Sequence, residues 1–226
     1  MNNELSIEEQ EHIDQLKQFW SKYGDLLTGL VLLLAVLAVG WQWWQHRQRQ
    51  EALQAASLYA TLQGMQQAQQ ISAVNSLADT LISRYPTGPY TARGVLIAAA
   101  ANANGNGSTP TAAEQAVAKK DLQWILDHGK ETNIKSLARL HLAALLLDEH
   151  QPKDALALLD GASKHTDNDS YGDLSNDLKG DVFLALDNRQ AAVKAWQNAL
   201  QTLPADSAYR QVVEIKLNAI AGTDKP

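Results

Sequence analysis

The side chains able to do chemistry are few and scattered. Six histidines, His12, His46, His128, His141, His150 and His165, are the candidate metal ligands and proton carriers. None stands four residues from another, the spacing that sets two imidazoles on one helical face around a metal. Solvent-facing positions account for them. Asp167-Asn168-Asp169-Ser170-Tyr171-Gly172-Asp173 opens like a calcium loop. Tyr171 occupies a ligand position, however, and Leu178 stands where the bidentate glutamate belongs, so the run reads as a loop between helices. Cysteine is absent, which excludes a disulfide, a thiolate zinc site, a thiol nucleophile and a lipidated cysteine. There is no glycine-rich phosphate loop and no nucleophile elbow. The expectation is a protein without catalytic, metal or cofactor residues: not an enzyme, but a binding module.

The elements that carry these residues read as helix after helix. Alanine is abundant, β-branched residues are single, and no stretch alternates apolar and polar residues long enough for a strand. Breaks are expected at Gly64, at Pro86-Thr87-Gly88-Pro89, at Asn104-Gly105-Asn106-Gly107, at Gly129, at Pro152, from Gly161 through Gly172, at Asp187-Asn188 and at Pro204. Segments of about ten to twenty residues between such breaks form antiparallel pairs.

One pair carries a repeat signature. Gly180 and Phe183 fall on a first helix, Ala192, Trp196 and Ala199 on a second, and Pro204 closes it. A small residue there lets two helices approach and a large one fills the gap, as in a tetratricopeptide repeat. Leu142, Ala143 and Leu146, followed by Ala155, Leu159 and Ala162, make an earlier unit, with 37 residues between Ala155 and Ala192. Weaker echoes lie at Val74, Ala78, Leu81 and Pro86, and at Ala118, Leu122 and Ile125. The fold class expected is all-α, a degenerate helical-repeat solenoid, with a plain helical bundle as the alternative. Trp124, Trp196, Phe183, Tyr59, Tyr85, Tyr90 and Tyr209 are expected as wedges between helices, and the continuous face of a solenoid as the binding surface.

Ahead of the repeats lies a run of 19 uncharged residues, Leu26 to Trp44. At about 1.5 Å per residue a helix of that length matches the hydrocarbon thickness of a bilayer. Leu26, Leu30 and Leu34 face lipid in this reading. Trp20 before the run and Trp41, Trp43 and Trp44 at its end sit at headgroup level, followed by Arg47 and Arg49 as snorkelling cations. Ala38-Val39-Gly40 offers small residues for signal cleavage, but the preceding residues hold six acids and only Lys17 and Lys22 as bases, the reverse of a signal peptide. An uncleaved anchor is expected. Lys17 and Lys22 against Arg47 and Arg49 is a tie, so charge leaves orientation open.

Three regions follow: an amphipathic helix in residues 1–25, the span 26–44, and a helical-repeat domain 45–226. Ser6 and Glu9 form a capping box; Ile13, Leu16, Phe19, Trp20 and Tyr23 make one apolar face, and Gly24 is placed to end that helix. Gln45 to Gln63 lacks Pro and Gly, so the membrane helix is expected to continue into the domain. After the span, 17 basic and 19 acidic residues without a basic block exclude nucleic acid as a natural partner.

Residues Glu8 to Gln45, with Leu16-Lys17-Gln18-Phe19-Trp20, Gly24 and the tryptophans after the span, resemble the start of the YfgM family of ancillary Sec translocon subunits. Tyr85-Pro86 through Tyr90 and Ala92, leading into Val95 to Ala101, is also similar. The resemblance implies a single-pass protein of the bacterial inner membrane, N-terminus cytoplasmic, with a tetratricopeptide-like domain in the periplasm. It implies SecYEG and a PpiD-type periplasmic folding factor as partners, and a chaperone-like or adaptor surface that receives translocating polypeptides. It carries over no catalytic residue. The alternative is a membrane scaffold or envelope-assembly protein serving a different membrane complex.

Overall fold

The computed structural model describes residues 7–107, 109–163 and 171–221; for residues 7–21, 24–28, 31, 106, 162, 163 and 221 it describes the backbone alone. Among the described residues the regular structure is helical: α1 (Ile7–Gln67), α2 (Ile71–Arg84), α3 (Thr91–Ala103), α4 (Ala112–His128), α5 (Thr132–Asp148), α6 (Pro152–Ser163), α7 (Gly172–Ala185), α8 (Arg189–Thr202) and α9 (Ala208–Ala221), with a short 3-10 turn at Gly105–Gly107. Two compact units result, Met1–Glu51 and Ala52–Pro226.

In the second unit each helix packs on the next, α2 on α3 through to α8 on α9, and alternate helices also touch, α3 on α5 and α5 on α7. That is the layering of helical hairpins stacked side by side, in which first helices line one face. Three apolar clusters run along the stack. The largest joins the end of α1 to α2 through α5, with Leu62, Leu81, Val95, Leu122 and Ile125 at its centre. A second joins α5, α6 and α7 around Ala143, Ala155, Leu159 and Val182. The third lies between α8 and α9 around Trp196 and Val213.

The hairpins share a turn. Gln69, His150 and Asp187 have φ of 60°, 61° and 58°, each just beyond the end of a first helix. After each, the next amide donates to a carbonyl five residues back, Gln70 to Met65 at 2.9 Å, Gln151 to Leu146 at 2.8 Å and Asn188 to Phe183 at 2.8 Å. This is the Schellman closure, which satisfies helix-end carbonyls through one left-handed residue. His150 and Asp187 repeat at the interval that separates Ala155 from Ala192. The hairpin of α3 and α4 departs from the pattern, with Gly105 and Gly107 at φ 54° and 84° and a capping box of Thr111 and Glu114 opening α4.

Three expected helix ends are corrected. Helix α1 passes through both Gly24 and Gly64 and stops only at Gln67. An interior glycine costs a helix about 1 kcal/mol, which neighbouring good helix formers offset. Gly161 likewise lies inside α6 rather than after it. The breaks at Pro86–Pro89, Gly129, Pro152 and Asp187–Asn188 coincide with helix ends. Ser6 and Asp167–Ser170 lie outside the described residues, and the side chains of Glu9, Ile13, Leu16, Phe19 and Ala162 do too.

Candidate protein-binding surfaces

In the first unit, α1 turns a run of large apolar side chains to the surface. Leu30, Leu32, Leu33, Leu34, Val36 and Leu37 are all about half exposed or more. Trp41, Trp43 and Trp44 follow at 64%, 65% and 50% exposure. The Trp41 and Trp44 rings lie 5.6 Å apart, and the Arg47 guanidinium lies 5.8 Å from the Trp43 ring while bonding Glu51 at 3.2 Å. Arg49 is exposed. The side chains of Trp20, Leu26, Leu27, Thr28 and Val31 lie outside the described residues, and among those described no helix is long and apolar enough to cross a membrane.

In the second unit, the residues of the repeat signature come together. A Cβ added at Gly180 would fall inside the Trp196 indole, so glycine is what lets α7 and α8 close. Trp196 is 1% exposed, and Ala192 and Ala199 are fully buried beside it. Phe183 packs half-buried against this cluster, and Pro204 is exposed in the turn after α8. At the other end, Gly94 lets α3 approach Leu81, whose Cδ1 would lie 2.6 Å from an added Cβ. Tyr59 and Tyr90 pair at 5.6 Å, and the Tyr85 hydroxyl donates to Gln54 at 2.7 Å.

Two of the openings among the described residues of this unit are lined mainly by apolar surface. A cleft of about 200 Å³ is bounded by the Pro86–Pro89 turn and by Trp124, which stacks on His128 with centroids 5.1 Å apart. Arg93 bonds Glu131, one of its lining residues, at 2.7 Å, which raises the guanidinium pKa. A larger, mostly apolar groove of about 500 Å³ runs over Leu142, Leu146 and Leu158 between α4 and α6, with Lys119, Lys120 and Asp154 at its edges. Its size is that of a small-ligand or short-peptide site.

Two polar features are not announced by sequence spacing. Asp177, 3% exposed on α7, accepts from the Tyr209 hydroxyl at 2.6 Å and from Lys216 at 2.9 Å; Lys216 also reaches Asp181 at 2.7 Å. Burial opposes the Lys216 charge, but the hydrogen bonds to Asp181 and Asp177 outweigh it and raise its pKa. Burial raises Asp181, with Lys216 pulling the other way, and burial with the Asp177 bond raises Tyr209. The second is Asp121 on α4, 4% exposed, whose carboxyl is pushed up to about 6 by burial. Of the histidines, His141 is partly buried and its pKa lowered by desolvation, while His46 and His128 make local bonds on exposed faces. Among the described residues no three His, Asp or Glu side chains are grouped to hold a metal. Leu178 packs into the α5–α7 cluster.

The comparisons with known proteins agree with this architecture. A sequence model described as a tetratricopeptide repeat-like domain matches residues 17–222. A Neisseria gonorrhoeae protein named ancillary SecYEG translocon subunit is 30% identical over 95% of this chain and 98% of its own length. A Haemophilus influenzae protein of the same name is 24% identical over 94% of this chain and 98% of its own, and one from Buchnera aphidicola (subsp. Acyrthosiphon pisum) 24% over 42% and 47%. No solved structure matches. The chain therefore belongs to the tetratricopeptide repeat-like domain family, and within it to the YfgM-type proteins named ancillary SecYEG translocon subunits.

Proposed function

We propose that this protein is a membrane-anchored, non-catalytic protein-binding module that serves the Sec translocon. The observation that carries the reading is likeness to proteins named ancillary SecYEG translocon subunits along nearly the whole chain. Helical hairpins support it, because stacked repeats offer extended surfaces to peptides and partner helices. The exposed apolar run with its tryptophans supports residues 26–44 as the single span, since a lipid phase removes the cost of that surface. Residues 1–25 then lie in the cytoplasm and residues 45–226 in the periplasm, beside the channel exit.

The mechanism is tethering. An anchor fixes the repeat domain near emerging segments and raises its effective concentration for them, so weak contacts suffice. SecYEG, a PpiD-type folding factor and translocating polypeptides are the partners of this reading, and the groove over Leu142, Leu146 and Leu158 is its client-facing surface. Alkaline extraction of membranes together with a reporter fused after Pro226 tests the anchor and its direction. Retention in the pellet with a reporter active only outside the cytoplasm is expected. Release into the supernatant, or a reporter active only in the cytoplasm, contradicts the proposal.

A further inference from the structure

Helix α9 closes the repeat domain by filling a groove that α7 and α8 would otherwise present to solvent. Tyr209, Val213, Lys216, Leu217 and Ile220 recur at three- and four-residue steps and form its inward face. Val213 is fully buried, and Leu217 and Ile220 pack with it against Trp196 and Leu203. This cluster is separate from the two that hold the earlier helices together. The polar grip is equally local. Among the described residues, both side-chain partners of buried Asp177, Tyr209 and Lys216, come from α9. Val212 and Ile215, on the outward face of α9, are 44% and 67% exposed, so the helix buries only part of its apolar surface.

We propose that the α7–α8 groove is a helix-docking site, filled in cis by α9 and open in trans to an amphipathic helix of the same pattern. Such a helix carries apolar residues at four- and seven-residue intervals and a cation placed to meet Asp177 and Asp181. A helix held by its own small cluster opens at lower free energy than the stack behind it. An incoming helix that supplies the cation restores the ion pair of buried Asp177. One without a cation leaves that carboxylate uncompensated, and is rejected for that reason. The inference rests on the reading of the chain as a protein-binding module and adds where a partner helix enters.

The probe is a fluorescein-labelled peptide of the α9 sequence, Ala208–Ala221, titrated by anisotropy into the full-length chain in lipid nanodiscs, with empty nanodiscs as blank. Lys216→Gln in the chain weakens the cis competitor and leaves the groove intact, so probe affinity should rise at least fivefold over wild type. The same substitution in the probe should abolish the gain. Hydrogen exchange on the Lys216→Gln chain should quicken in α9 alone. An unchanged affinity, a gain shared by the cation-less probe, or exchange quickened throughout residues 52–221 overturns the proposal. Co-purification of translocon subunits with the chain is read separately and bears only on the broader function.

Discussion

Trp196 lies across the backbone of Gly180, and its indole Nε1 donates to the carbonyl of Asp177 at 3.1 Å. The same ring thus fills the space that a missing side chain leaves and satisfies a carbonyl one turn earlier on α7. Gly180→Ala puts a methyl group into that ring. Overpacking of a tight helix contact costs about 1–3 kcal/mol, and the better helix propensity of alanine returns less than 1. Urea denaturation of the full chain should show a lower midpoint with unchanged slope, and Trp196→Ala a larger loss, about 3–5 kcal/mol. A Gly180→Ala chain as stable as wild type would show that α7 and α8 are not closed by this contact.

The left-handed residues at Gln69, His150 and Asp187 give a prediction of opposite sign. An L-residue in that region costs about 1 kcal/mol relative to glycine. Glycine at each site should therefore stabilise the fold and raise the unfolding midpoint, with a net gain of up to about 0.5 kcal/mol after its larger unfolded-state entropy is counted. Valine at the same sites should destabilise, and thermal melts of the single and triple variants check both directions.

Asp121 makes stability depend on pH. Its folded carboxyl titrates at about 6, above the usual value of 3.8, because burial disfavours the charge. A raised pKa adds stability that is fully present below pH 3.8 and is lost as pH rises through 6. At one pKa unit per 1.36 kcal/mol the loss is about 3 kcal/mol. Asp121→Asn removes the titration. The variant should be more stable than wild type at pH 7.5, and the difference should shrink to near zero by pH 4, read from denaturation midpoints across that range.

Removing one partner of the acid pair should cost more than removing charge from the surface. Lys216→Met leaves Asp177 buried without its cation and should destabilise α9 by about 2–4 kcal/mol. Lys120→Met breaks a 3.7 Å pair with Asp79 in which both side chains are about two-thirds exposed, and should change stability by less than about 0.5 kcal/mol. Local exchange rates in α9 separate the two variants.

The all-helical fold and the pairing of α7 with α8 were legible because Gly180, Ala192, Trp196 and Ala199 act through size at fixed spacing, a local property. The hairpin turns were not. Gln69 and His150 are not turn-forming types, and their left-handed conformation is imposed by the helices on either side. Gly64 misled in the other direction, since a glycine marks a break only where neighbouring residues also stop favouring helix. The Asp177–Lys216 contact spans 39 positions and joins α7 to α9, so no window along the chain contains both partners. Trp41, Trp43 and Trp44 are expected at an interface from their place between the uncharged run and Arg47, and on α1 all three are exposed.

Site-specific photocrosslinking from positions between Arg47 and Gln63 in intact membranes bears most directly on the central claim. Crosslinks to SecYEG subunits, strengthened when export is active, are the predicted result. Labelling confined to proteins unrelated to the translocon would contradict it.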